Sequence, residues 1–191
     1  MKSKFIFMLF LFIACENNTG VDNDEKLTFI ASEGNFGRSN ASITVFQGPN
    51  QIQKVSNIGD VIQSIMVYDD KLFVLINNSH LIKIYSITSA GLSLPGIEIS
   101  TQNSGPREMT IVNDLLYFTN WNSNDIKVLN LETYFIEDSI KVNGMPEGIV
   151  SDGTHLWVAI SSGNTVEKIN INSKQIVETL QVGNGPQQML I

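Results

Sequence analysis

The sequence is poor in the residues that build covalent and metal-held folds: it has one cysteine and two histidines in 191 residues. A single thiol excludes a disulfide-stapled fold and a cysteine-rich zinc site, and two imidazoles are too few for a histidine metal cluster. Basic residues are also scarce, since 12 Lys and Arg stand against 19 Asp and Glu. Nucleic-acid binding needs a concentrated basic surface, so we expect no nucleic-acid partner, no metal and no cofactor.

Long apolar runs are absent except at the N-terminus, where nine apolar residues occupy positions 5–13. This run is too short for a membrane-spanning helix, which needs about 20 residues. Lys2 and Lys4 precede it, and the small residues Ala14 and Cys15 follow it. A basic stub, a short apolar run and a small-residue boundary predict a signal peptide over residues 1–14. The alternative is a buried N-terminal strand or helix.

The segment Phe12-Ile13-Ala14-Cys15 resembles the bacterial lipobox, which implies that Cys15 becomes the lipidated first residue of the mature protein. The alternative for Cys15 is a free thiol or a small residue in an ordinary signal. Residues 15–26 are polar without an apolar period, which predicts a flexible tether. Their acidic residues resemble the export signal of Bacteroidetes surface lipoproteins. This resemblance implies an outer-membrane protein exposed at the cell surface, with a periplasm-facing protein as the alternative.

A repeat of about forty residues organises the rest of the chain. Pro106, Pro146 and Pro186 each follow closely after a glycine and stand 40 residues apart. Matching apolar segments follow the first two prolines, for example Leu116–Asn120 and Leu156–Ile160. An earlier copy fits at a shift of 44 residues, and a looser copy begins at Leu27. The units are therefore placed at 27–61, 62–105, 106–145 and 146–185.

Each unit contains short runs rich in Ile, Val, Tyr and Phe, separated by turn residues such as Asn113-Asp114 and Asp152-Gly153. Helical apolar periodicity is missing. Four short antiparallel strands in about forty residues are typical of one β-propeller blade. We therefore predict an all-β protein, a β-propeller with four repeat units of four antiparallel strands. An irregular β-sandwich is the alternative.

Gly-x-Pro, Leu-Tyr-Phe-Thr-Asn and Ile-Lys-Val-Leu-Asn-Leu-Glu-Thr in the third unit resemble the YVTN-type propeller repeat of YncE-like proteins. Segments 31–37, 59–64 and 105–107 resemble a narrower group, the YncE-like surface lipoproteins of Bacteroidetes. The resemblance covers residues 27–191, and it implies a ring that usually has seven blades. We therefore expect an incomplete propeller in which residues 186–191 open a fifth unit. The alternative is a compact four-bladed ring in which Gln188–Ile191 supply the inner strand missing from the first unit.

One face of such a propeller collects the loops between the second and third strands and the links to the next blade. Aromatic, amide and arginine side chains in these segments suit a polar organic ligand, because rings stack and the polar groups fix orientation. The alternative is ordinary turn chemistry, since Asn, Ser and Gly favour turns in any loop. The candidate ligand-binding residues are Phe36, Arg38, Arg107, Trp121, Asn122 and Asn124.

Catalytic motifs are scarce, and no catalytic residue is proposed. His80 and His155 are placed on opposite faces, and Glu33, Glu108 and Glu147 are interpreted as salt-bridging or solvated carboxylates. We therefore expect a non-enzymatic, lipid-anchored envelope protein that binds a ligand or partner. The resemblance implies capture of a cobalamin-like nutrient for an outer-membrane transporter. The alternatives are a protein–protein scaffold and a propeller enzyme of the metal-dependent lactonase or quinoprotein-like type.

Overall fold

The computed structural model describes residues 26–191, which form sixteen strands and no helix. The expected signal peptide, Cys15 and nearly all of the tether lie outside the described residues. No helix able to cross a membrane occurs between residues 26 and 191. The strands are β1 (Leu27–Ser32), β2 (Ser42–Gln47), β3 (Asn50–Ser56), β4 (Ile62–Tyr68), β5 (Lys71–Ile76), β6 (Leu81–Thr88), β7 (Gly91–Leu92), β8 (Ile97–Ser100), β9 (Pro106–Val112), β10 (Leu115–Asn120), β11 (Asp125–Asn130), β12 (Ile136–Lys141), β13 (Pro146–Ser151), β14 (His155–Ile160), β15 (Thr165–Asn170) and β16 (Ile176–Gln181).

The strands form four antiparallel sheets that follow one another along the chain. The third sheet has the order β9-β10-β11-β12 and the fourth the order β13-β14-β15-β16. The first strands β4, β9 and β13 are neighbours in space, so each sheet runs outward from a shared inner side. Consecutive sheets that radiate in this way are the blades of a β-propeller, and the predicted fold class is confirmed.

The first two blades depart from the four-strand pattern. The first has only β1, β2 and β3, because Leu27–Ser32 corresponds to the second strand of the later units. The second blade has five strands, since β7 forms a small hairpin with the end of β6 while β8 pairs with its first half. This hairpin accounts for the longer spacing of 44 residues in the second unit.

Packing between blades explains why the middle strands are apolar at almost every position. Leu72, Val74 and Ile76 of β5 belong to a core cluster shared with the first blade. Phe73 and Leu75, which alternate with them, belong to a second cluster shared with β9 and β10 of the third blade. A third cluster joins the third and fourth blades. Because side chains alternate across a strand, a sheet covered on both faces needs a continuous apolar run.

A β-bulge recurs near the start of each inner strand. The pairing register shifts between Ile62 and Ser64 in β4, opposite Thr119 in β10, and between Pro146 and Ile149 in β13. A bulge leaves one residue out of the ladder and re-aims the neighbouring side chains. The residues released from regular pairing are Gln63, Arg107, Glu108, Glu147 and Gly148.

The segment after the fourth blade does not complete the first blade. Residues 186–191 form no strand, and the backbone N–H of Gly148 donates to the Gln187 carbonyl at 2.8 Å. Gly148 permits this approach because a Cβ there would collide with the Gln187 oxygen. Met189, Leu190 and Ile191 then line an apolar groove beside Trp157. β1 has only β2 as a neighbour in its sheet, so Gln188–Ile191 do not supply the inner strand that the four-bladed alternative required.

Replacement of a side chain buried between blades should destabilise the propeller strongly. Leu156 is fully buried between the third and fourth blades, so Leu156→Ala should lower the free energy of unfolding by about 3 kcal/mol in urea titrations. Leu190→Ala is the matched control, because Leu190 is 96% exposed and should change stability by less than about 0.5 kcal/mol. Equal effects of the two substitutions would contradict the packing described for the blades.

Candidate functional site

Side chains from three blades meet at the start of the inner strands. We define the inner rim as Gln63 and Ser64 of β4, Arg107 and Glu108 of β9, and Glu147 of β13. These residues directly follow Ile62, Pro106 and Pro146, which are equivalent positions of the repeat. The bulges lie at the same positions, so local backbone irregularity and the rim residues coincide in each blade.

Arg107 is the centre of the inner rim. Its Nε lies 3.2 and 3.1 Å from the two carboxylate oxygens of Glu147, and its Nη2 donates to Glu147 Oε1 at 2.7 Å. Its Nη1 donates to Gln63 Oε1 at 2.7 Å. The ion pair is largely buried, with side-chain exposures of 16% for Arg107 and 9% for Glu147. Arg107 therefore connects the second, third and fourth blades through charge-assisted hydrogen bonds.

Trp121 covers the flat side of the Arg107 guanidinium. The guanidinium carbon lies 3.8 Å from the centre of the indole ring, which is a cation–π arrangement. The backbone N–H of Trp121 donates to the Gly105 carbonyl at 3.0 Å, which holds the loop after β10 against the link that precedes β9. Its indole Nε1 is buried without a hydrogen-bond partner among the described residues. Trp121 and Arg107, both predicted from the sequence, are thus in direct contact.

Glu108 adds a second carboxylate to the inner rim. Ser64 of the preceding blade donates its hydroxyl to Glu108 Oε2 at 2.8 Å. Burial is the main influence on this group and raises the pKa of Glu108 above its ordinary value, and the nearby charge of Glu147 acts in the same direction. The Ser64 hydrogen bond and the charge of Arg107 oppose that rise in pKa. Glu108 is therefore partly desolvated but remains within the electrostatic range of both members of the ion pair.

Thr119 of β10 stabilises the bulge of β9. Its side chain is fully buried, its Oγ1 accepts the Glu108 backbone N–H at 3.0 Å, and the same hydroxyl donates to the Glu147 carbonyl at 2.7 Å. The hydroxyl thus replaces the ladder bond that the bulge removes and links the third blade to the fourth. Thr119 was not predicted from the sequence. The available signal was its hydroxyl, because the equivalent residues of the neighbouring units are Leu75 and Ala159.

The loops and links that the sequence assigned to one face lie together there. Asn78 Nδ2 bonds Asp60 in the first link, and Asn122 N donates to the Ser104 carbonyl in the second. In the fourth blade, Asn164 accepts through its carbonyl from Val182 N at 2.7 Å. We call this side of the propeller the loop face. The inner rim opens toward it, because its residues directly follow these links.

Phe36 and Arg38 lie on the loop face but not in the inner rim. Their loop is fixed by the Gly37 N–H, which lies 3.0 and 2.9 Å from the two carboxylate oxygens of Asp60. The Glu33 carbonyl accepts from Ile62 N at 3.2 Å, which places the base of this loop beside the start of β4. Phe36 is 78% exposed and Arg38 is exposed. The two side chains therefore present an aromatic ring and a cation to solvent on this face.

Asn122 and Asn124 form hydrogen bonds that shape the loop carrying Trp121. Asn122 Nδ2 donates to the Asn103 carbonyl at 3.1 Å. Asn124 has a left-handed backbone with φ of 48°, and its amide, oriented with Nδ2 inward, donates to the carbonyls of Trp121 and Gly144 at 3.1 Å each. Both residues are exposed, but their amide groups shape the loop and hold Trp121 in place.

The two histidines take part in separate turns. Nδ1 of His80 accepts the Gly105 N–H at 3.1 Å on the loop face. His155 begins β14 at the other end of its strand, where Nδ1 lies 2.9 Å from Thr154 Oγ1. Within residues 26–191, histidine, cysteine and acidic side chains form no group of three or more that could hold a metal ion.

Comparisons with known proteins extend the fold assignment. No family model matches the sequence, and no curated protein matches it. Among solved structures, the chain is similar to a proposed 6-phosphogluconolactonase from Bacteroides fragilis, with a TM-score of 0.69, 15% identity, and coverage of 83% of this chain and 55% of that one. A functionally unknown protein from Desulfotomaculum acetoxidans has a TM-score of 0.69 and 16% identity, covering 86% and 55%.

The Pan2 WD40 domain of Neurospora crassa has a TM-score of 0.66 at 12% identity, covering 85% of this chain and 48% of that domain. At these identities the likeness shows the β-propeller fold alone. The chain spans about half the length of the three solved structures.

Neutralising Glu147 should show how much the ion pair of the inner rim contributes to the stability of the propeller. Glu147→Gln leaves the Arg107 charge largely buried without its carboxylate, so the free energy of unfolding should fall by about 3 kcal/mol. Glu178→Gln is the matched control, because Glu178 is exposed on the outermost strand β16 and should leave stability unchanged. Urea unfolding followed by circular dichroism measures both. A shift for Glu147→Gln no larger than the control would show that the ion pair does not stabilise the propeller.

Proposed function

We propose that this protein is a non-enzymatic envelope lipoprotein whose loop face binds an amide-rich organic ligand of the cobalamin type for an outer-membrane transporter. The observation that carries the binding proposal is that Arg107 of the inner rim contacts both Glu147 and the neighbouring Trp121 ring. Aromatic and polar side chains from three blades converge at the starts of the inner strands. Propellers offer a concave surface near their central axis, and ligand sites are usually concave.

Two further observations support a binding role for the loop face. Phe36 leaves most of its ring in water, although burying an aromatic side chain would stabilise the fold. Arg38 stands two residues away on the same exposed loop. An aromatic ring and a cation on one loop can contact the edge of a large ligand whose centre lies over the inner rim. The resemblance of the sequence to YncE-like surface lipoproteins supports the choice of a cobalamin-like ligand.

Equilibrium dialysis of the purified protein against cyanocobalamin tests this function. We expect saturable binding, and Trp121→Ala should weaken it about tenfold, because the indole is the largest rigid contact surface beside the inner rim. Trp157→Ala is the matched control, since Trp157 lies beside the apolar groove of the fourth blade and should leave the affinity unchanged.

Two outcomes would contradict the proposal. The absence of saturable corrinoid binding would rule out the cobalamin-like ligand. Turnover of lactones in the presence of a divalent metal would replace the binding function with the enzymatic alternative.

The lipid anchor is a separate part of the proposal and rests on the sequence around Cys15. Acyl chains on that cysteine would hold the protein at a membrane, because each buried CH₂ contributes about 0.8 kcal/mol. In bacteria that process lipoproteins, labelled palmitate should enter the protein and should be lost in Cys15→Ala, which should also move it from the membrane fraction to the soluble fraction. Ser32→Ala serves as the control. Membrane association that survives Cys15→Ala would contradict the anchor.

A further inference from the structure

We propose that the inner rim excludes anions and takes a neutral or cationic ligand that donates hydrogen bonds to Glu108. This inference deepens the proposed function, on which it rests, by assigning the chemical class of the ligand. The presence of an arginine stacked on a tryptophan suggests an anion site at first sight, since guanidinium groups commonly bind carboxylates and phosphates. The contacts of Arg107 point to the opposite preference.

The positive charge of Arg107 is already matched within the protein. All three guanidinium nitrogens face side chains of the neighbouring blades: Nε and Nη2 face Glu147, and Nη1 faces Gln63. One flat side of the group is covered by the Trp121 ring. A bidentate carboxylate that is 91% shielded from solvent would have to be displaced before a ligand anion could take its place. That exchange leaves Glu147 desolvated and without a partner, which makes it costly.

Glu108 leaves the inner rim with excess negative charge. Its Oε2 accepts the Ser64 hydroxyl, whereas no hydrogen bond from residues 26–191 reaches Oε1. Oε1 is not buried away from solvent, so it remains free to accept a ligand N–H or O–H. When Glu108 is ionised, the five residues of the inner rim carry a net charge of −1, because the charges of Arg107 and Glu147 cancel. The raised pKa of Glu108 means that this charge is lost at a higher pH than that of an ordinary glutamate.

Charged side chains elsewhere on the loop face do not make the net charge at the inner rim positive. Arg38 is accompanied by Glu33 and Asp60 around its loop. Lys127 and Lys141 lie on the third and fourth strands of their blade, each 3.6 Å from Asp125. A ligand that offers amide, amine or hydroxyl donors therefore gains a hydrogen bond at Glu108, whereas a carboxylate or phosphate meets repulsion there.

Collisional quenching of tryptophan fluorescence tests the charge at the inner rim without a ligand. The protein has two tryptophans, so Trp157→Phe leaves Trp121 as the only one. In this background, acrylamide, caesium and iodide report access by neutral, cationic and anionic probes at constant ionic strength. At neutral pH we expect acrylamide and caesium to quench Trp121 more than iodide does, each relative to free N-acetyltryptophanamide.

Adding Glu108→Gln should raise iodide quenching about twofold and lower caesium quenching, since one nearby unit charge is removed. Acrylamide quenching should stay constant, and Glu178→Gln should change none of the three. Iodide quenching equal to that of caesium would overturn the anion exclusion. Failure of acrylamide to quench would overturn it as well, because the inner rim would then be closed to small molecules. If corrinoid binding is absent but this pattern holds, only the cobalamin-like ligand is ruled out.

Discussion

The packing of each blade against its neighbours is the constraint on which the rest of the structure depends. A single four-stranded sheet has two apolar faces, and it can bury both only when another sheet lies on each side. Strand β5 shows the consequence, because Leu72 packs toward the first blade and Phe73 toward the third. This arrangement fixes the angle between blades and brings β4, β9 and β13 together. The inner rim exists only because those three strands converge.

The forty-residue period was sufficient to predict the fold class, since glycine–proline breaks and apolar runs repeat at constant spacing. The prediction of four strands in every unit failed in the first blade, which has three strands because it begins at the equivalent of the second strand, as only the four-bladed alternative had assumed. The additional strand β7 was not predicted, because a two-residue strand carries no periodic signal. The four-bladed alternative placed Gln188–Ile191 in the first blade, whereas the structure ties Gln187 to Gly148 of the fourth blade by a backbone hydrogen bond.

The candidate site was only partly predictable. Loop chemistry identified Trp121 and Arg107, but their mutual contact depends on the register of β9 and β10 and on a bulge that local sequence does not reveal. The partners Gln63 and Glu147 come from units 44 and 40 residues away in the chain, so their hydrogen bonds appear only when three blades are assembled. Asn122 and Asn124 illustrate the opposite case, because turn chemistry explains their amide contacts without any ligand.

One backbone hydrogen bond recurs at the loop position occupied by Trp121. Asn77, Trp121 and Ser161 each donate the main-chain N–H to a carbonyl of the preceding link, at 2.8, 3.0 and 2.9 Å. Because this bond uses no side-chain atom, an amide, an indole and a hydroxyl occupy the same place without altering the scaffold. The backbone bond is thus independent of the side chain at this position. The second, third and fourth blades each present one side chain from the same backbone anchor, so natural variation or protein engineering can change the loop face one blade at a time.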